Sequence, residues 1–176
     1  WQRRAREALH HDLRLAGEQN AAVAAGHNRL AAGSLAGAQD ARDRAPLDNT
    51  AAAALSQAIA RQADRAKDAV NAAESALREG DLVRASRELR AARGLHSKAE
   101  DLAGLEARLL ERVMQQVKES FTEGRLNRAR QELALLGDIG RERPDRIEIA
   151  EALRLASDAA RALSEDHYVQ AGVLLG

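Results

Sequence analysis

Cysteine is absent from the 176-residue chain, proline occurs twice, and tryptophan, phenylalanine and tyrosine occur once each. Without thiols there is no disulfide framework, thiolate metal site or cysteine nucleophile. At 2% aromatic content, the chain lacks both the aromatic pairs that favour a β-sandwich and the platforms on which single-stranded nucleic acid stacks. No apolar run approaches the roughly 18 residues needed to cross a bilayer. Net charge is missing too: 27 basic residues offset 27 acidic ones, so no overall field draws DNA, RNA or anionic lipid. Walker loops, strand-borne GxGxxG segments and GxSxG elbows do not occur, so phosphate cradles are not indicated.

What remains is alanine and balanced charge. There are 40 Ala, and 31% of residues are charged, a composition suited to helices. Arg outnumbers Lys by 24 to 3; GC-rich coding accounts for this, and the composition is of a bacterial, cytoplasmic type. The chain opens on Trp1 with no signal pattern, which reads as a fragment or a processed product.

Apolar residues recur at steps of three and four, placing them on one stripe of each helix. One stripe runs Leu9, Leu13, Ala16, Asn20, Val23, His27, Leu30, and another Leu55, Ile59, Gln62, Ala66, Ala69 or Val70, Ala73, Leu77. A third runs Leu102, Leu105, Leu109, Val113, Val117, Phe121, and a fourth Ile149, Leu153, Ala156, Ala160, Leu163. Four long helices are expected, with shorter ones between them, eight in all. Pro46 should end one helix and Asp48 or Asn49 cap the next. Gly94 should stop another, ahead of a capping box formed by Ser97 and Glu100. Gly137, Asp138 and Gly140 break the chain, and Pro144 suits a first helical turn.

A word recurs at these breaks. Leu30-x-x-Gly33-x-Leu35-x-x-Ala38, Leu77-x-x-Gly80-x-Leu82-x-x-Ala85 and Phe121-x-x-Gly124-x-Leu126-x-x-Ala129 share one form, and Leu163-x-x-Asp166-x-Tyr168-x-x-Ala171 repeats it with substitutions. Successive copies lie 47, 44 and 42 residues apart, which marks an internal repeat. Glycine permits the positive φ that stops the long helix, the large residues on either side close over the turn, and Ala lets the second helix come close. Each copy is a helical hairpin that hides its apolar face only against a neighbour.

Gly80-Asp81-Leu82-Val83-Arg84-Ala85 with Leu89 and Ala92, and Gly124, Leu126, Ala129, Leu133 and Leu136, resemble the junction and second helix of a tetratricopeptide repeat. The first-helix signature differs, with Ala69 and Ala73 or Val113 and Val117 in place of its large aromatic and glycine. The closing proline is missing, and the period exceeds that family's roughly 34 residues. The resemblance covers Ala66 to Ala134 best. It implies a right-handed stack of hairpins whose usual work is holding peptides or partner proteins. The expected architecture is therefore all-α: antiparallel hairpins stacked as a short α-solenoid in a single domain, with units at about 1–46, 47–96, 97–140 and 141–176. The last unit reads as cut short, leaving Val169, Val173 and Leu174 as an open surface that either further chain or another molecule, as in self-association, is expected to cover.

Candidate chemistry is sparse. His10 and His11 point about 100° apart on a helix, His27, His96 and His167 are scattered, and no HExxH spacing occurs, so no metal is expected. Asn20 and His27 on the first stripe read as partly buried and hydrogen-bonded, or as partner contacts. Glu100 with Asp101 and Glu165 with Asp166 fit helix starts better than acid–base pairs. The run Arg84, Arg87, Arg90, Arg93 drifts around its helix as a solvated face. Arg61 with Arg65 and Arg108 with Arg112 stand one turn apart on long helices, and the resemblance sets such helices along a concave groove. Guanidinium groups there would suit a peptide carboxylate; neutralisation by Asp64, Asp68, Glu106 and Glu111 is the plainer reading. The expected function is a non-catalytic protein–protein interaction module that takes a protein or peptide partner and needs no cofactor, nucleic acid or membrane. The alternatives are an assembly protein self-associating through its long helices, and a recruiting domain of a larger enzyme or regulator.

Overall fold

The structure, a computed structural model, describes residues 2–45, 50–96, 100–164 and 173. Seven helices are present among them: α1 (Gln2–Ala31), α2 (Leu35–Asp43), α3 (Thr50–Glu79), α4 (Leu82–Leu95), α5 (Glu100–Thr122), α6 (Leu126–Ala134) and α7 (Pro144–Ser164). No described residue belongs to a strand. The fold is all-α, and its four long helices lie where the apolar stripes put them. The expected eighth helix, the fourth copy of the repeat word beyond Leu163, Pro46 with its capping neighbours and Ser97 lie outside the described residues.

Three junctions share one geometry. At the end of α1, the Gly33 amide donates to the Leu30 carbonyl at 3.0 Å and the Ser34 amide to Arg29 at 2.9 Å. Gly80 and Asp81 repeat this to Leu77 and Ala76, and Gly124 and Arg125 to Phe121 and Ser120. This is the Schellman pair of bonds, closed by a left-handed residue. The three glycines take φ of 75, 79 and 74°. The residue after each glycine also begins the next helix, its carbonyl accepting from Ala38, Ala85 or Ala129. All three alanines are buried. The recurring word thus codes a turn, a cap and a close contact within nine residues. Gly94 behaves otherwise: the His96 amide still donates to Ala92 at 2.8 Å, so α4 runs through it to Leu95.

The chain divides into two compact units. One holds α1, α2, α3 up to Ala72 and α4 from Glu88; the other holds the last turns of α3 from Ala73, α4 up to Arg87, α5 from Ala103, α6 and α7. The division passes through the α3–α4 hairpin.

In the first unit α1 and α2 form an antiparallel hairpin, with the Arg29 guanidinium donating to the Gly37 carbonyl at 3.0 Å. Its core cluster of Val23, Leu30, Ala38, Ala45, Ala52 and Leu55 is half alanine, so the helices come close. Gly26 marks the tightest approach: a Cβ there would lie 3.3 Å from that of Ala41 and collide with Leu55. The Gln62 amide nitrogen donates to the Leu30 carbonyl at 2.9 Å and the Leu95 carbonyl at 2.8 Å. One side chain thereby donates to a carbonyl in the last turn of α1 and of α4, where intrahelical donors run out. Leu55 beside Gly26 and Gln62 beside Leu30 make α3 run alongside α1 in the same direction.

The second unit is built from larger residues: Leu105, Leu109, Leu110, Val113 and Val117 of α5 are buried, as are Leu136, Ile139 and Leu153. Here α5 runs in the direction of the last turns of α3, Arg108 reaching Glu74 at 3.4 Å and Arg112 the Leu77 carbonyl at 3.0 Å. The buried Ser86 hydroxyl donates to the Leu135 carbonyl and ties α4 to the end of α6. Gly137 and Gly140 take positive φ in the turns that lead to Pro144, the first residue of α7.

Candidate interaction surfaces

The four arginines singled out from the sequence divide by role. Arg61 and Arg65 are exposed on α3 in the first unit. Neither makes a hydrogen bond or ion pair with a described residue. Arg108 and Arg112 belong to the second unit, where Glu74 and the Leu77 carbonyl engage them. The Leu77 carbonyl also takes the Gly80 amide, so Arg112 reinforces the junction. These two arginines tie α5 to α3 while keeping much of their surface in water.

Other candidates resolve simply. Asn20 and His27 are exposed, because Val23, Gly26 and Leu30 form the buried edge of α1. Further toward the N-terminus that edge loses its cover: Leu9 is 59% and Leu13 62% exposed. Among the described residues, no three His, Cys, Asp or Glu side chains gather as metal ligands would. No helix of the described residues is long and apolar enough to cross a membrane. The side chains of Glu100 and Asp101, all of Glu165, Asp166, His167, Val169 and Leu174, lie outside the described residues; Val173 is exposed.

The first unit also contains a cavity of about 320 Å³ between α2, α3 and α4, lined by Leu35, Ala66, Val70, Ala92 and Leu102. Lys67, Asn71 and His96 border it.

In the second unit a cleft opens between α6 and α7. At one end a cavity of about 710 Å³ is bordered by Arg125, Arg128, Arg130 and Arg161, with Leu126, Ala160 and Asp158. At the other, a cavity of about 330 Å³ is bordered by Arg130, Arg146 and Arg154 over Leu133, Ala150 and Leu153. Arg130 borders both. It is exposed and makes no hydrogen bond or ion pair with a described residue. Arg154 and Arg161 share one carboxylate, Asp158, at 3.3 and 2.6 Å. Arg128 bonds one oxygen of the buried Glu132 at 2.9 Å; the other oxygen has no partner among the described residues. Arg125 pairs with Glu123.

The start of α7 is held by charge. Arg143 forms a two-point bridge to Asp145, at 3.0 and 2.9 Å. That hydrogen bonding raises the arginine pKa and lowers the Asp145 carboxyl below its ordinary value. Arg146 donates to the Gly137 carbonyl at 2.6 Å and to Ile139. Its pKa is lowered, first by burial and then by repulsion from Arg141.

The sequence pattern points to the α3 and α5 arginines and not to this cleft. The signal was there: Arg125, Arg128 and Arg130 fall within six residues just after a junction glycine. What the sequence leaves open is which long helix faces them, and α7 adds Arg146, Arg154 and Arg161. The chain matches no protein-family model, and no curated protein or solved structure was found to be similar to it.

Proposed function

We propose that this chain is a non-catalytic protein–protein interaction module, a scaffold of tetratricopeptide-like helical hairpins that holds a peptide or a partner protein. One observation carries the reading: the same three backbone bonds, two closing the glycine turn and one opening the next helix, recur at the ends of α1, α3 and α5. At two of these junctions the carbonyl three residues before the glycine also receives a side chain from the next long helix, Gln62 for Leu30 and Arg112 for Leu77. A chain that rebuilds one turn and ties it in a similar way is assembled from like units, and such units offer long side-by-side surfaces to partners. On this reading Arg61 and Arg65 are the arginines left for a partner carboxylate, while Arg108 and Arg112 hold α5 in place.

Crosslinking capture followed by identification tests the proposal. The captured protein, purified separately, should bind the chain saturably, and Arg61→Ala with Arg65→Ala should weaken binding and flatten its salt dependence. A chain that crosslinks to nothing while fully folded would sink the reading.

A second reading is favoured by the exposed Leu9 and Leu13. A long helix with an uncovered apolar stripe can pair with a second copy, as an assembly protein would. Light scattering over a range of concentrations separates the two, since a constant monomer mass removes the assembly reading.

A further inference from the structure

We propose that the cleft between α6 and α7 binds an extended acidic segment of a partner protein, with acidic and apolar residues alternating along it. The inference rests on the interaction-module reading and gives it a site and a ligand chemistry.

The lining has two layers. Leu126, Leu133, Ala150 and Leu153 supply an apolar floor, and guanidinium groups from both helices stand along it. Among the described residues Asp158 is the one carboxylate bordering either cavity, and it serves Arg154 and Arg161 together. Arg154 also lies 3.8 Å from Glu151; each guanidinium carries five N–H donors in a planar fork, so these two carboxylates leave donors of both arginines unused. Arg130, bordering both cavities with no bonded partner among the described residues, is placed to grip a ligand carboxylate in two-point fashion. Arg146 directs its guanidinium donors to backbone carbonyls.

Dimensions select the ligand's conformation. The nine residues of α6 span about 14 Å at 1.5 Å per residue, which accommodates about four residues of extended chain. Side chains of an extended chain alternate in direction, so acidic groups meet the arginines while apolar neighbours sit on the floor. Nucleic acid fits less well. Among the described residues no aromatic side chain borders the cleft, Asp158 interrupts the positive surface, and Glu123 and Glu132 already engage Arg125 and Arg128. A nucleic acid would favour an unbroken basic track with stacking platforms.

The test uses the full chain and fluorescein-labelled hexapeptides alternating Glu or Asp with Leu, Val or Ala. Matched peptides with Gln or Asn replacing the acids, and a short oligothymidylate, serve as comparisons. Fluorescence anisotropy should show binding of members of the acidic series only, weakening as salt rises. Arg130→Gln and Arg161→Gln should each weaken it about tenfold, while Arg6→Gln on α1 leaves it unchanged. Both arginines are exposed, so unaltered melting curves will show that the variants fold. The inference is overturned if the acidic series does not bind, if the amide series binds equally, if oligothymidylate displaces the peptide, or if Arg130→Gln has no effect. If an identified protein partner still binds the Arg130→Gln chain at full strength, the cleft assignment fails while the module reading stands. Peptide binding by a chain that captures no protein has the opposite meaning.

Discussion

Helices α1 and α5 carry the same kind of stripe and meet different fates. In α5, Leu105, Leu109, Val113 and Val117 follow one another at four-residue steps, and each is buried. In α1 the same stepping places Leu9 and Leu13 in water, and burial begins only at Val23. Periodicity tells that a helix has an apolar face; it does not tell that anything covers it. Cover depends on what lies alongside. The α2 hairpin partner has nine residues and reaches only the last turns of the 30-residue α1.

The contrast can be broken by substitution, and the largest effect belongs to α5. Leu109→Ala, at a fully buried site, should cost about 3 kcal/mol or more in chemical denaturation. Leu13→Ala should cost less than about 0.5 kcal/mol. If Leu13→Ala matched Leu109→Ala, with a dependence on protein concentration, a second copy would be covering α1 and the assembly reading would gain.

The two carbonyl ties extend the comparison. Gln62→Leu leaves the Leu95 carbonyl without its side-chain donor and strips one from Leu30, an expected loss of about 2 kcal/mol that is insensitive to salt. Arg112→Met removes a single bond to a carbonyl already served by Gly80, and should cost about 1 kcal/mol. Equal losses would mean that burial around Gln62 adds nothing. Gly80→Ala tests the junction itself. A Cβ there meets no neighbour within 4 Å, so the expected loss of about 1 kcal/mol comes from the left-handed backbone alone.

The smallest effect is the pH response at α7. Asp145 is held below its ordinary value, so its bridge to Arg143 contributes above the unfolded carboxyl pKa of about 4 and is lost as pH falls through the lower folded value. Asp145→Asn should remove that part of the acid dependence, readable as a changed slope of melting temperature against pH. An unchanged slope would show that the exposed bridge contributes nothing measurable.

Local chemistry was legible in the sequence because it is carried by neighbours in the chain. The glycines at 33, 80 and 124 turned where the recurring word put them, and Pro144 opened α7, since φ preference and amide loss are properties of single residues. Gly94 misled: nothing forces a glycine to stop a helix whose hydrogen bonds continue. Gln62 falls on an apolar stripe, and its task as donor to two carbonyls 32 and 33 residues away is invisible until those helix ends are in place. Asn20 and His27 showed the same limit in reverse, sitting on a stripe yet exposed.

Helicity, the places of the long helices and the repeated turn were set by composition, period and glycine, because each acts over a few residues. Which stripes are buried, which arginines are tied to carbonyls and which line an open cleft were decided by packing alone. Charge and apolar surface take on a role only from what the fold brings beside them, and α6 meets α7 through contacts that no local pattern encodes.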